Sequence, residues 1–159
     1  MRDSLQAFRI AAAAFLLAVV ASSAEAAISL AKITDLAFGD LTAGATAGTV
    51  KITPGGARSR TLGVAVLFTS TFDNASFTVS TPSGSRNYSI VLPGSATLTS
   101  GGGFTMKVDT FTSNPSGSST TSAGGAHTQT LNVGATLQVS ANQKPGTYTG
   151  TFTVTVVQN

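Results

Sequence analysis

The chain has no cysteine and no tryptophan, a single histidine and only two tyrosines. Without cysteine there is neither a disulfide nor a thiolate metal site. One histidine falls short of the three or four ligands that a transition-metal site usually takes. No metal and no other cofactor is therefore expected. Charge is scarce as well, at 9% of residues, and no glutamate follows Ala26. The cations Lys32, Lys51, Arg58, Arg60, Arg86, Lys107 and Lys144 are scattered, and only Arg58 and Arg60 cluster. They read as solubilising charge. A nucleic-acid binder would show a denser basic stripe with stacking aromatics, so no nucleic acid is expected as partner.

The same scarcity leaves little to build catalysis from. A hydrolytic triad needs a base held by an acid and aimed at a nucleophile. His127 stands at the end of a polar loop, and Asp35, Asp40, Asp73 and Asp109 lie far apart in the sequence. There is no G-x-S-x-G elbow, and Asp73-Asn74 reads as a turn whose side chains bond their own backbone. Gly101-Gly102-Gly103 precedes a strand, without the lysine and helix N-terminus of a phosphate loop, and reads as a hairpin turn. No catalytic residue is assigned, and the chain is not expected to be an enzyme.

What is present begins with an export signal. Arg2 and Arg9 flank a basic start, residues 10–21 are apolar, and Ser22-Ser23-Ala24-Glu25-Ala26 supplies small residues with an A-x-A site. This is the pattern of a secretory signal peptide over residues 1–26, cleaved after Ala26, with Ala24 as the rival position. The apolar run is shorter than the about 20 residues needed to cross a bilayer, so no membrane span is expected in the mature protein. Residues 27–159 then form one domain, destined for the periplasm, the cell surface or the medium.

That domain is rich in Thr, Ser, Gly, Val and Ala, which favours extended strands and disfavours helices. Alternation bounded by turn residues predicts strands over 28–34 (continued in phase by 36–38), 49–53, 61–68, 75–80, 88–92, 96–99, 104–111, 130–133, 135–140 and 147–157. Ile28, Leu30, Leu36 and Phe38 share one face; Leu62, Val64, Val66 and Phe68 share another. Gly134 suggests a bulge or bend between two half-strands, and residues 112–125 read as a flexible polar loop. Many short strands separated by turn signals argue for an all-β antiparallel sandwich, immunoglobulin-like in kind.

The last strand is the clearest. Tyr148, Gly150, Phe152, Val154 and Val156 alternate with five threonines, so one face is apolar and the other a hydroxyl ladder. Burying Phe152, Val154 and Val156 is expected to contribute roughly 1.5–3 kcal/mol each. Gly150, on the apolar side, leaves a gap for a larger side chain or another backbone to approach.

Here a resemblance enters. Leu36-Ala37-Phe38-Gly39, Gly48-Thr49-Val50, residues 88–93, residues 131–137 and residues 145–156 occur in the order found in a family of bacterial secreted domains known as domain of unknown function 4402. More loosely, the pattern is similar to chaperone–usher pilins, including archaic spore-coat-like subunits, which end in an alternating strand led by a glycine. Gly146 and the alternation from Tyr148 through Phe152 and Val154 to Val156 match that arrangement. Gln158 stands where pilins usually carry tyrosine, and the pilin cysteine pair is absent.

The pilin resemblance implies assembly by strand addition, in which an extended segment completes a neighbour's sheet. The partners it implies are other copies of the chain or a periplasmic chaperone, and the candidate donor is residues 27–34, carrying Ile28 and Leu30. Equally, that segment is the domain's own first strand. The expected function is an exported structural or surface-assembly subunit that acts without catalysis. The alternative is a free-standing secreted binding module, for carbohydrate or a surface matrix.

Overall fold

The computed structural model describes residues 27–66, 70–81, 84–120 and 126–159, and the expected signal peptide lies outside them. Thirteen strands and no helix occur among the described residues: β1 (Ser29–Thr34), β2 (Leu41–Ala43), β3 (Gly48–Ile52), β4 (Arg58–Arg60), β5 (Val64–Val66), β6 (Ala75–Thr81), β7 (Asn87–Val91), β8 (Ser95–Ser100), β9 (Thr105–Asn114), β10 (Ser118–Thr120), β11 (His127–Val139), β12 (Tyr148–Thr149) and β13 (Thr155–Gln158). The large sheet runs β1-β6-β11-β9-β8-β12, with β3 joined to β11 and β4 to β3. Two small sheets, β10-β7-β13 and β2-β5, complete the architecture. Every ladder is antiparallel.

The small sheets cover different parts of the large one, and each closes its own core. Under β2 and β5, Val50, Ile52, Val64, Met106, Val108, Ala135, Leu137 and Val139 pack with Phe38. Under β7 and β13, Ala75, Val79, Tyr88, Leu131 and Val133 form a second cluster. The long strand β11 serves both, because its odd positions from Leu131 to Val139 all face inward. It pairs with β6 up to Val133 and with β3 from Ala135. The bend expected at Gly134 is a register shift against β9 within this one strand. A Cβ on Gly134 would strike the backbone of Ile52, Thr53 and Pro54 where β3 leaves the sheet.

β9 carries a matching irregularity. Met106 and Val108 face inward at even positions, whereas Phe111 does so at an odd one. The change of phase falls at Thr110, whose φ of 52° lies in the left-handed region that a β-branched residue rarely enters. The bulge turns the Phe111 ring onto Phe152, with centroids 5.1 Å apart.

Four expectations need correction. Residues 61–68 do not form one strand: Thr61, Leu62 and Gly63 make a turn, only Val64–Val66 is β5, Leu62 is 88% exposed, and Phe68 lies outside the described residues. Gly63 has φ 92° and sits against the Thr46 and Ala47 carbonyls, a conformation and a fit that suit glycine alone. The polar run 112–125 is partly sheet, since β9 continues to Asn114 and β10 pairs with β7; residues 121–125 lie outside the described residues. Ser and Thr hydroxyls do not stop an edge strand whose outer face meets water. Residues 147–157 are not one ladder but β12 and β13, in different sheets. Finally, Arg58 and Arg60 are braces as much as surface charge. The Arg58 guanidinium lies 4.1 Å from the Phe72 ring centre and donates to the Phe38 carbonyl at 3.1 Å, while Arg60 donates to the Val64 carbonyl at 2.8 Å.

Candidate functional site

The C-terminal segment leaves the large sheet after Thr149 and joins the small one at Thr155. Residues 150–154 between them belong to no strand, yet the alternation persists: Phe152 and Val154 are half-buried, Gly150, Thr151 and Thr153 exposed. The segment is therefore a strap across the end of two sheets. Its turning point is Gly150, where a Cβ would strike the Thr97 carbonyl and come within 2.9 Å of Leu98 Cδ2. The close backbone approach expected at Gly150 is this crossing over β8.

Upstream, the strap is anchored by Tyr148. Its hydroxyl donates to the Lys144 carbonyl at 2.6 Å and accepts from Gln143 Nε2 at 2.8 Å, and the same Nε2 reaches the Thr105 carbonyl at 3.1 Å. These bonds fix the 143–146 turn against the start of β9. Downstream, Val156 packs on the Tyr88 cluster, and β13 holds to β7 from Thr155 to Gln158.

Between the two anchors opens a groove of about 970 Å³. Ala96, Leu98, Met106, Val108 and Leu137 floor it, and residues 35–43 and 143–152 form its walls. β8 borders it as an edge, since β12 covers only Thr99 and Ser100 and leaves residues 95–98 paired on the β9 side alone. The groove is thus apolar within, and its rim is main chain that is free on one side at residues 95–98 and in no ladder at residues 150–154. Such edges accept an added strand.

A family model described as "Domain of unknown function (DUF4402)" matches residues 28–157. The chain belongs to this family. No curated protein and no solved structure matches it.

Across the DUF4402 span, the residues singled out from sequence divide between two places. Tyr148 and Gly146 border the groove, and Phe152 reaches both the groove and the Tyr88 core. Val154 and Val156 face that core alone. Ile28 and Leu30 lie elsewhere: residues 29–34 pair with β6 at the opposite edge of the large sheet, and both side chains pack half-buried on the Tyr88 cluster. The sequence reading passed over Leu98, Met106, Phe38 and Leu41 as site residues. Their alternation is that of any core strand, and only the course of the strap leaves them beside a groove.

The polar groups are dispersed. His127 opens β11 opposite Thr81, whereas Asp109 lies opposite Thr136, nine residues farther along. At about 3.3 Å per residue the register separates the two by roughly 30 Å. Asp73 is tied into its turn by the Asn74 N–H at 2.8 Å. Asp109 accepts from Gln138 Nε2 at 3.0 Å and faces Lys107 Nζ at 3.2 Å. The Gln138 bond leads in holding the carboxyl below the ordinary aspartate range; partial burial opposes it, and Lys107 and Thr110 assist. Among the described residues no three His, Cys, Asp or Glu converge as a metal site would require, and no helix is long and apolar enough to cross a membrane.

Proposed function

We propose that the chain is an exported structural or surface-assembly subunit, pilin-like or coat-like, that acts by strand pairing and without catalysis. The observation that carries this reading is the groove beneath the strap, apolar inside and bordered by the outer edge of residues 95–98 and by residues 150–154, which join no ladder. An extended segment laid there would bond to backbone along its length and seat alternate side chains on Leu98, Met106 and Leu137, the two components of strand addition. A small apolar ligand would leave the backbone groups unanswered. Another copy of the chain is the proposed partner at the surface, and a periplasmic chaperone would occupy the same edge before assembly.

Residues 27–34 bear on how copies would join. With β1 seated beside β6, Ile28 and Leu30 already serve their own domain. Donation of this segment therefore requires it to leave β6. Because β1 and the groove lie on opposite edges of the large sheet, contact between one copy's β1 and the next copy's groove would be head-to-tail, a geometry that gives open filaments unless it closes into a ring.

The test is to purify residues 27–159, concentrate them, and look for SDS-resistant ladders and for fibres by electron microscopy. Polymers are expected. A folded protein that stays strictly monomeric at high concentration contradicts the proposal. The groove also lies within the size range of small-ligand sites, which favours a secreted binding module as second reading. A glycan-array signal that maps to the groove, from monomeric protein, would support that reading instead. Of the tyrosines a sugar platform could use, Tyr88 is fully buried and bonded to Gln129 at 2.6 Å.

A further inference from the structure

Four loops meet at one end of the sandwich: residues 44–47, 61–63, 101–104 and 140–146. The register requires it, because Gly48 lies opposite Val139, Thr105 opposite Thr99, Tyr148 opposite Ser100, and the Thr61 N–H bonds to the Thr49 carbonyl. The Gly44 N–H bonds to the Gly63 carbonyl, and the Asn142 N–H to the Gly44 carbonyl. This end carries two of the five exposed large apolar side chains among the described residues, Leu62 at 88% and Phe104 at 44%. Both are loop tips. The strands behind them, β4-β3-β11-β9, set them about three strand spacings, or roughly 14 Å, apart.

Charge in the four loops has one sign. Lys144 lies in them, Arg60 stands two residues before Leu62, and the loops contain no Asp or Glu. Lys107, three residues after Phe104, is paired with Asp109. Asp109, opposite Thr136 and engaged by Gln138 and Lys107, stands farther back along the sheet. Asp40 precedes β2, Asp35 pairs with Lys32, and Asp73 bridges to Ala37.

We infer that this loop end docks on a lipid surface bearing anionic headgroups. Leu62 and Phe104 enter the interface while Lys144 and Arg60 face the headgroups. The charge complementarity names the sign of the partner, and the shape names its kind. The apolar tips project singly from glycine-rich turns, and the recess beside them, lined by residues 47–49, Thr61 and 138–140, does not include either tip. A protein partner would need pockets matched to that spacing, whereas a bilayer accepts apolar side chains wherever they protrude. Interfacial binding of this type adds buried apolar area to attraction for anionic lipid.

The chain lacks tryptophan, so Phe104→Trp installs a single reporter. Residues 27–159 carrying it are mixed with vesicles of phosphatidylcholine alone and of phosphatidylcholine with phosphatidylglycerol. Sedimentation with the anionic vesicles, a blue-shifted emission there, and release by salt are expected. In the Trp-free chain, Lys144→Glu should weaken binding on the order of tenfold, the effect of losing and then reversing one surface charge. Leu62→Asp should abolish it while leaving the thermal unfolding midpoint unchanged. Absence of binding, equal binding to both vesicle types, or unshifted emission on bound vesicles overturns the inference, as does Lys144→Glu binding like the parent. Polymer formation is not read in this experiment, so it stands or falls apart from the assembly proposal.

Discussion

The two cores of the sandwich are built from the same residue types and finished differently. Around Tyr88 the cover is complete: β7 and β13 lie over β6 and β11, and Val79, Tyr88, Leu131 and Val133 are fully buried. Around Met106 the cover stops at β2 and β5, and the floor from Ala96 to Leu98 borders a groove. The difference comes from one segment. The C-terminal strap delivers Phe152, Val154 and Val156 to the first core and only Tyr148 and one side of Phe152 to the second. Both halves bury side chains completely, Val50 and Ile52 in the second as Leu131 and Val133 in the first; what sets the second apart is the groove left beside Ala96 and Leu98.

This contrast has a measurable gradient. Leu131→Ala, in the closed half, should cost about 2–5 kcal/mol in denaturant unfolding, the range for a buried leucine. Leu98→Ala, on the groove floor, should cost less, about 1.5–2 kcal/mol, because the side chain is partly exposed. Equal losses would show that the groove is closed in solution. Next in size is Gly150→Val. Its side chain meets the Thr97 backbone and Leu98, so the strap must lift; a loss of about 1–3 kcal/mol is expected, the cost of overpacking.

Thr110→Gly runs the other way. The left-handed conformation costs a non-glycine residue roughly 1–2 kcal/mol, and glycine gives back part of that in chain entropy. A net gain of about 0.5 kcal/mol is expected, read as a higher midpoint. The smallest effect is acid-specific. Asp109 has its folded-state pKa lowered, chiefly by Gln138, so its contribution is present above the unfolded value near 4 and is lost as pH falls through the folded value. Asp109→Asn should flatten the unfolding midpoint below about pH 4 relative to the parent and leave the shape of its pH dependence near neutrality unchanged.

Much of the fold was legible because alternation is a direct imprint of a half-buried strand. β3, β6, β7 and β8 lie within a residue or two of their expected bounds, and the turn at 101–103 closes by Ser100–Phe104 and Ser100–Gly103 backbone bonds. Short strands escaped, since three residues in β2 or β4 give no period to read. The strap shows the deeper limit. Its alternation from Tyr148 to Val156 is real, but side-chain period reports which way residues face and says nothing about which backbone lies alongside. Partner choice is made by Gly150 against Thr97 and by β7 at the far end, contacts remote in sequence. The groove followed from that choice, so no local pattern could announce it.

The Ser100 N–H bonds to the Phe104 carbonyl, so alternation along the β8–β9 ladder turns the Ala96 and Leu98 amides to β9 and those of Ser95 and Thr97 outward. Hydrogen exchange at the amides of Ser95, Thr97 and residues 151–154 tests the strand-pairing account most directly. In monomeric protein these amides should exchange quickly while those of Leu131 and Val133 stay protected, and on polymer formation they should become protected together. Fibres in which Ser95, Thr97 and residues 151–154 exchange as fast as in the monomer would contradict it.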